Sequence, residues 1–343
     1  MEYFAFQWHI TEACDQRCKH CYIYALGSHA KFQAMALEDM VRVIENCQAF
    51  CRKAGRLPYF YLTGGDPILH PQFWQLAGLL KERDLPFAIL GNPFHLTDDV
   101  CQKLRDHGCR KYQLSLDGLR ETHDRIRRPG SYDETLAAIP LLRRAGIHVA
   151  LMATVSKWNV QEIPALVDVA VEHQADIFAF ARYCPSQADR DTTCSPLEYR
   201  ALLEACWEKF QAYKAAGCPT TFSRKDHLWT LFLYEKGLFH IDETLDPDTI
   251  YDGCNCGNCH MTILSDGAVY ACRRMESKVG NALTDDLYDL FTGPAYEAYR
   301  QYDQFEKCAK CELLRFCRGC PAVAAGYHGS PYAPDPQCWK EVL

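Results

Sequence analysis

The chain lacks long apolar runs: nowhere in its 343 residues do they approach the roughly 18 apolar residues of a membrane span, so no membrane partner is expected. It also lacks a basic flank followed by an apolar core and a cleavage site at its start, which speaks against a secretory signal. No lysine/arginine block stands out, and the formal charge is −7 with a pI near 6.0. A nucleic-acid partner, which usually needs a basic footprint, is therefore not expected. Low-complexity tracts and internal repeats beyond strand–helix units are absent too. These absences predict a cytoplasmic protein.

What the chain has in excess is cysteine, with twenty. Cytosolic thiols stay reduced, so such a number points to metal rather than disulfides. An apolar fraction of 48% is ample for an ordinary core, and the length suits two or three domains, or one barrel with an appendage.

Residues 1–185 alternate short apolar runs with amphipathic stretches. Strands are expected at 4–10, 59–62, 87–90, 112–116, 148–154 and 176–181, and helices near 37–54, 72–83, 97–107, 133–144 and 160–173. Thr97-Asp98-Asp99 and Ser131-Tyr132-Asp133-Glu134 supply small polar groups able to cap a first turn. Such alternation implies parallel βα units with right-handed crossovers, and in barrels built this way the chemistry sits at the carboxyl ends of the strands. Apolar periodicity at 199–213 and 228–238 makes 186–253 a helical connection.

Directly after the first strand comes Cys14-Asp15-Gln16-Arg17-Cys18-Lys19-His20-Cys21. Four thiolates close a [4Fe–4S] cube, so three leave one iron open. Zinc knuckles and buried structural thiols are the bland alternatives, but zinc sites favour paired C-x2-C units. The spacing resembles that of the radical S-adenosylmethionine (radical SAM) enzymes. Six βα units are too few for a closed eightfold barrel and match that family's partial (β/α)6, TIM-like barrel. The resemblance implies that SAM chelates the open iron and is cleaved to a 5′-deoxyadenosyl radical, chemistry carried by the cofactor.

Further cofactor-binding candidates follow from the same resemblance. Thr63-Gly64-Gly65-Asp66-Pro67 is similar to the family's GGE motif, with Asp66 in place of Glu facing the SAM amino group and Gly64 and Gly65 allowing close backbone approach. Asn92 stands where relatives often carry Thr-Asn-Gly. Ser115 and Asp117, in Ser115-Leu116-Asp117-Gly118, suit ribose hydroxyls or the SAM carboxylate. Arg127 resembles the arginine that grips that carboxylate, a job suited to a planar fork. Thr154 begins the segment that holds adenine, and His20 stands where relatives have an aromatic ring beside it.

The tail has its own pattern: Cys254, Cys256 and Cys259, an expected hairpin turning on Asp266-Gly267, Cys272, then Cys308-x2-Cys311-x5-Cys317-x2-Cys320 and Cys338. Nine cysteines within 254–338 lie on segments too short for a large core, and metal binding also supplies folding energy. Zinc ribbons are the alternative. The pattern resembles the SPASM extension, which implies two auxiliary clusters and three [4Fe–4S] clusters in all. Cys256, Cys272 and Cys320 would hold the first, with Cys254 and Cys259 competing for its fourth place or that place left open. Cys308, Cys311, Cys317 and Cys338 would hold the second, although Cys317 and Cys320 are separated by two residues where many relatives have three. The domains expected are thus a radical SAM barrel over 1–185, the connection 186–253 and a SPASM domain over 254–343.

The substrate this resemblance implies is a ribosomally made peptide, cross-linked or oxidised, with a flavodoxin- or ferredoxin-like electron donor. Thirteen residues precede Cys14, so a separate leader-binding protein or the barrel surface would recognise a leader. A small molecule or tetrapyrrole side chain is the alternative. The candidate catalytic residues are Arg273, suited to holding a carboxylate, and Cys184, at a strand end facing the site. Sulfatase-maturing relatives carry an aspartate base directly after the cysteine matching Cys272; Arg273-Arg274 stand here, and arginine is no base at neutral pH, which speaks against formylglycine formation.

Overall fold

The structure, a computed structural model, describes residues 3–24 and 34–342. Its first half is a run of strand–helix units: β1 (Tyr3–Thr11), α1 (Leu37–Ala54), β2 (Leu57–Gly64), α2 (Phe73–Glu82), β3 (Phe87–Leu90), α3 (Asp98–Asp106), β4 (Cys109–Ser115), α4 (Arg120–Ile126), α5 (Ser131–Arg144), β5 (His148–Val155), α6 (Ile163–Glu172) and β6 (Ile177–Arg182). Then follow α7 (Pro196–Ala215), β7 (Thr221–Ser223), α8 (Leu228–Glu235), the tail strands β8 (His260–Ile263), β9 (Ala268–Tyr270) and β10 (Lys278–Asn281), and helices α9 (Leu287–Thr292), α10 (Pro294–Glu297) and α11 (Pro321–His328).

All ten strands join one sheet in the order β10-β9-β8-β1-β2-β3-β4-β5-β6-β7. Neighbours from β8 through β1 to β7 are parallel, and β8-β9-β10 is antiparallel. This is the partial, TIM-like barrel with a tail expected from the sequence. Alternation along β1 explains its two faces. Phe4, Phe6, Trp8 and Ile10 are buried in the core, where the Phe4 ring meets Phe50 of α1 at 4.5 Å. Gln7 and His9 take the other face, which lines the barrel interior.

Three local features depart from the sequence expectation. The stretch read as a helical connection also contributes β7, which pairs with β6 from Thr221 to Ser223; three edge residues carry no apolar run that would announce a strand. The charged segment after β4 forms α4, ending before Pro129-Gly130. Thr97 caps α3 as expected, accepting from the Val100 N–H at 3.2 Å, but Ser131 does not cap α5. Instead the Asp124 carboxylate accepts from the Gly130 and Tyr132 N–H groups, each at 2.8 Å, satisfying the orphan amides and freeing the Ser131 hydroxyl for Gln16, which donates to it at 3.0 Å.

Candidate functional site

The loop of Cys14, Cys18 and Cys21 leaves the carboxyl end of β1 and is fixed from beneath by β2. The Gly65 N–H donates to the Thr11 carbonyl at 2.9 Å and the Asp66 N–H to the Ala13 carbonyl at 2.7 Å. A Cβ on Gly64 would collide with the Thr11 carbonyl, and one on Gly65 with that of Ala13; Gly64 also has φ +121°. The glycine pair therefore lets the chain approach itself, a role the sequence does not separate from approach to a ligand.

Polar groups surround the sulfurs. Asn92 Nδ2 lies 3.3 Å from Cys14 Sγ and donates to Asp15 Oδ1 at 2.7 Å. An Arg127 Nη lies 3.6 Å from Cys18 Sγ, and Cys18 also donates to Gln16 Oε1 at 3.3 Å. Thiols this buried resist ionisation on their own: burial first, with neighbouring Cys21, Asp117 and Cys14 adding to it, pushes Cys18 up to about 11 even against the pull of Arg127. Metal supplies the positive charge such a set lacks.

Asp117, fully buried beyond β4, is held on both carboxylate oxygens. Oδ1 accepts from the Thr154 N–H at 2.8 Å and Oδ2 from Arg127 Nε at 2.6 Å, while His20 Nε2 stands 3.6 Å from Oδ2. Burial pulls the His20 ring down to about 4 despite Asp117, so this is a contact of a neutral imidazole and not an ion pair. Asp117 thus positions Arg127, His20 and the start of the β5 loop, whose Asn159 amide clasps the Asp117 and Thr154 carbonyls at 2.6 and 2.8 Å. Ser115 lies half-buried opposite Met152 of β5. The Tyr183 ring, after β6, meets the His20 ring edge-on at 6.4 Å.

Asp66 is the orphan. It is fully buried, and neither carboxylate oxygen has a well-aligned hydrogen bond. Burial, then the Asp15 charge, raises it to about 7. Asp15 and His95, joined at 3.0 Å, complete a cluster with Asp66 whose ligand atoms lie within 4.8 Å. A buried carboxylate beside Cys14, holding only the poorly aligned backbone N–H groups of Ile68 and Asn92, fits an ammonium such as that of SAM, since a buried charge calls for an opposite one.

The tail thiols gather in two groups. The sulfurs of Cys254, Cys256, Cys272 and Cys320 act electrostatically on one another, as do those of Cys308, Cys311, Cys317 and Cys338. The hairpin turning at Asp266-Gly267 brings Cys272 to the first group. Of the two rivals for its fourth place, Cys254 faces Cys272 and Cys320; Cys259 follows on a turn in which its N–H donates to the Asn255 carbonyl at 3.3 Å. Four thiols per group, each buried or half-buried, are a donor set for a closed [4Fe–4S] cube.

Between the first thiols and the tail lies a cationic interior, which the sequence indicated only at Arg273. An Arg273 Nη donates to the Tyr22 hydroxyl at 3.0 Å, and that hydroxyl lies 3.2 Å from His9 Nε2. Lys225, reached by solvent yet ringed by protein, is lowered to about 8 by burial and then by Arg273, Arg274 and Lys111. His260 is lowered to about 4 by burial, Arg273, Lys225 and Arg274. Among the described residues no carboxylate pairs with Lys225, Arg273 or Arg274. These groups come from β1, β8 and the loops after β7 and β9, and only the fold makes them neighbours. Cys184 packs against Cys320, within the electrostatic reach of Arg274.

Comparison with known proteins agrees with this geometry. The radical SAM superfamily matches residues 8–170, and the iron-sulfur cluster-binding SPASM domain matches residues 254–321. An AdoMet-dependent heme synthase of Methanosarcina barkeri is 26% identical over 80% of this chain and 78% of its own length. The mycofactocin maturase MftC of Mycobacterium ulcerans is 26% identical over 96% and 86%. In fold, the crystal structure of Streptococcus suis SuiB bound to precursor peptide SuiA matches with a TM-score of 0.76 at 20% identity, covering 99% of this chain and 76% of that one. Among the described residues no helix is long and apolar enough to cross a membrane. With the thiol loop, the partial barrel and the cysteine-rich tail all in place, the chain belongs to the radical SAM/SPASM enzymes, whose domains imply SAM and iron–sulfur clusters as cofactors.

Proposed function

We propose that this enzyme abstracts a hydrogen atom from an unactivated carbon of a ribosomally made peptide, which is then cross-linked or oxidised. The observation that carries the reading is Lys225 and Arg273, beside His9 and His260, with which no carboxylate pairs among the described residues; the adjacent Arg274 faces the Cys320 sulfur. Cations gathered without a counter-charge call for an anionic substrate, and arginine forks suit carboxylates. Peptides bring carboxylates on Asp, Glu and the chain end. The end-to-end likeness to a mycofactocin maturase and a fold neighbour holding a precursor peptide support a peptide as that anion.

In this reading Cys14, Cys18 and Cys21 hold the first cluster, and Cys256, Cys272 and Cys320 hold one auxiliary cluster whose fourth place falls to a neighbouring thiol. Cys308, Cys311, Cys317 and Cys338 hold another, three [4Fe–4S] clusters in all. Bound at the first site, SAM supplies a 5′-deoxyadenosyl radical. Asp66 receives its ammonium at the Gly64-Gly65 turn, and Arg127, steadied by Asp117, offers its remaining N–H groups to the carboxylate. Ser115, His20 and the backbone around Thr154 flank the nucleoside. Arg273 orients the substrate, and the tail thiols support acceptors for the electron it releases. A flavodoxin- or ferredoxin-like protein delivers the initial electron, and a separate leader-binding protein or the barrel surface presents the peptide. The three-part division at 185 and 253 is kept, with β7 added to the middle part.

A second reading, oxidation of tetrapyrrole propionates, is favoured by the adjacent Arg273-Arg274 and by likeness to a heme synthase. Anaerobically reconstituted enzyme, SAM and reductant, offered either a synthetic cysteine-containing peptide translated from a short reading frame found beside the gene or an iron coproporphyrin, decides between them. A mass change of the peptide with release of 5′-deoxyadenosine supports the first reading. A change of the porphyrin alone overturns it in favour of the second.

A further inference from the structure

β6 delivers its last residue, Arg182, to the barrel mouth, and Tyr183-Cys184-Pro185 carries the chain onto the tail. That crossing is tightly fixed. Arg182 bonds to Asp335, whose Oδ2 also accepts from the Cys320 N–H at 2.8 Å. On the far side, α11 presents Gly326 to Pro185 so closely that a Cβ there would collide with the Pro185 carbonyl. Between these two anchors Cys184 meets Cys320 thiol to thiol. Cys272 packs on the same patch, and an Arg274 Nη lies 3.6 Å from Cys320 Sγ. The auxiliary group therefore contains a fifth thiol, from the barrel and not from the tail.

We propose that Cys184 is a ligand of the first auxiliary cluster, so that this cluster is shared between barrel and tail. A [4Fe–4S] cube takes four thiolates, and Cys254 and Cys256, one residue apart, then supply one between them beside Cys184, Cys272 and Cys320. The inference rests on the tail holding clusters. It gives Cys184 a purpose that packing does not, since a merely structural thiol needs no partner sulfur. A ligand on the β6 exit also ties the electron acceptor to the strand end that borders the substrate.

Iron and sulfide content and the EPR spectrum of dithionite-reduced, full-length protein test it. Parent protein is compared with Cys184→Ser, Cys184→Ala, Cys272→Ala and, as control, Cys206→Ala, a buried thiol on α7. Cys184→Ser is expected to keep its iron and shift the auxiliary EPR signal, because oxygen replaces sulfur on one iron. Cys184→Ala is expected to lose up to about four irons per chain or to give a three-iron signal, with circular dichroism as in the parent. Parent-like iron and EPR in Cys184→Ser, while Cys272→Ala loses iron, overturns the assignment alone. Parent-like iron in Cys272→Ala overturns the tail cluster itself. If Cys184→Ala does not fold, the serine variant decides.

Discussion

An Arg182 Nη donates to both carboxylate oxygens of Asp335, at 2.6 and 2.8 Å, with both side chains buried. Arg182 Nε donates to Asp226 at 2.8 Å, so one guanidinium joins β6, the segment after β7 and the end of the tail. Breaking a buried pair by removing one partner strands the other charge, at a cost of about 3–5 kcal/mol. Asp335→Ala is expected to lower the melting temperature by an amount matching that loss and to reduce tail iron, because the Cys320 N–H loses its acceptor. An unchanged melting curve would show that the pair contributes nothing.

Gly64→Ala and Gly65→Ala should each displace the thiol loop, since their new methyl groups meet the Thr11 and Ala13 carbonyls. Backbone cannot give way as a flexible side chain does. The expected result is loss of the first cluster's iron and of SAM cleavage while tail iron is retained. Normal iron at that site in either variant would mean the loop tolerates the intrusion.

Asp66 makes the SAM-free protein pH-sensitive. Burial, then Asp15, raises its carboxyl from 3.8 to about 7, so the folded state holds the proton more tightly than the unfolded one. That stability is fully present below the unfolded pKa and is lost as pH rises through about 7. Between pH 6 and pH 8 the parent should lose melting temperature by a margin that Asp66→Asn largely removes. Equal slopes for the two proteins would count against a protonated Asp66.

Replacing Cys14, Cys18 or Cys21 with alanine should abolish 5′-deoxyadenosine release. Cys308→Ala, at the other end of the molecule's thiol sets, should spare uncoupled release while ending substrate modification. Loss of release in a folded Cys308→Ala protein would contradict a division of labour between the two halves.

Lys225→Met and Arg273→Gln remove positive charge from the cluster beside His9 and His260. Each is expected to raise KM for a carboxylate-bearing substrate roughly tenfold or more, the scale of one charge-assisted hydrogen bond, with a smaller change in kcat. Because Lys225 deprotonates near 8, parent KM should also climb above that pH, and the methionine variant should not show that rise. Unaltered KM in both variants would place the substrate elsewhere.

Much of this was legible in the sequence because the signals are local. The spacing of Cys14, Cys18 and Cys21, the β1 alternation and the four-cysteine run from 308 to 320 each announce themselves within a few residues. Features that depend on the fold did not. Nothing near Lys225 marks it as a neighbour of Arg273, some fifty residues on, and the three-residue β7 has too little pattern to separate from a loop. Gln16 was hidden in plain view inside the thiol motif; its contacts with Ser131 and Arg127 arise only once the segment between α4 and α5 is docked. Ser131 shows the converse: it has the chemistry of a cap, yet Asp124 takes that post.

β1 lies between β2 and β8, and that placement reaches into how the chain comes to be folded. One neighbour follows β1 within about fifty residues of chain, whereas the other arrives only when residues 260–263 have been made. Until then the amino-terminal strand keeps an open hydrogen-bonding edge, a template for stray pairing, and its closure is a long-range event of the slow kind. A product halted before the tail would therefore expose that edge, and aggregation is the fate to expect for it.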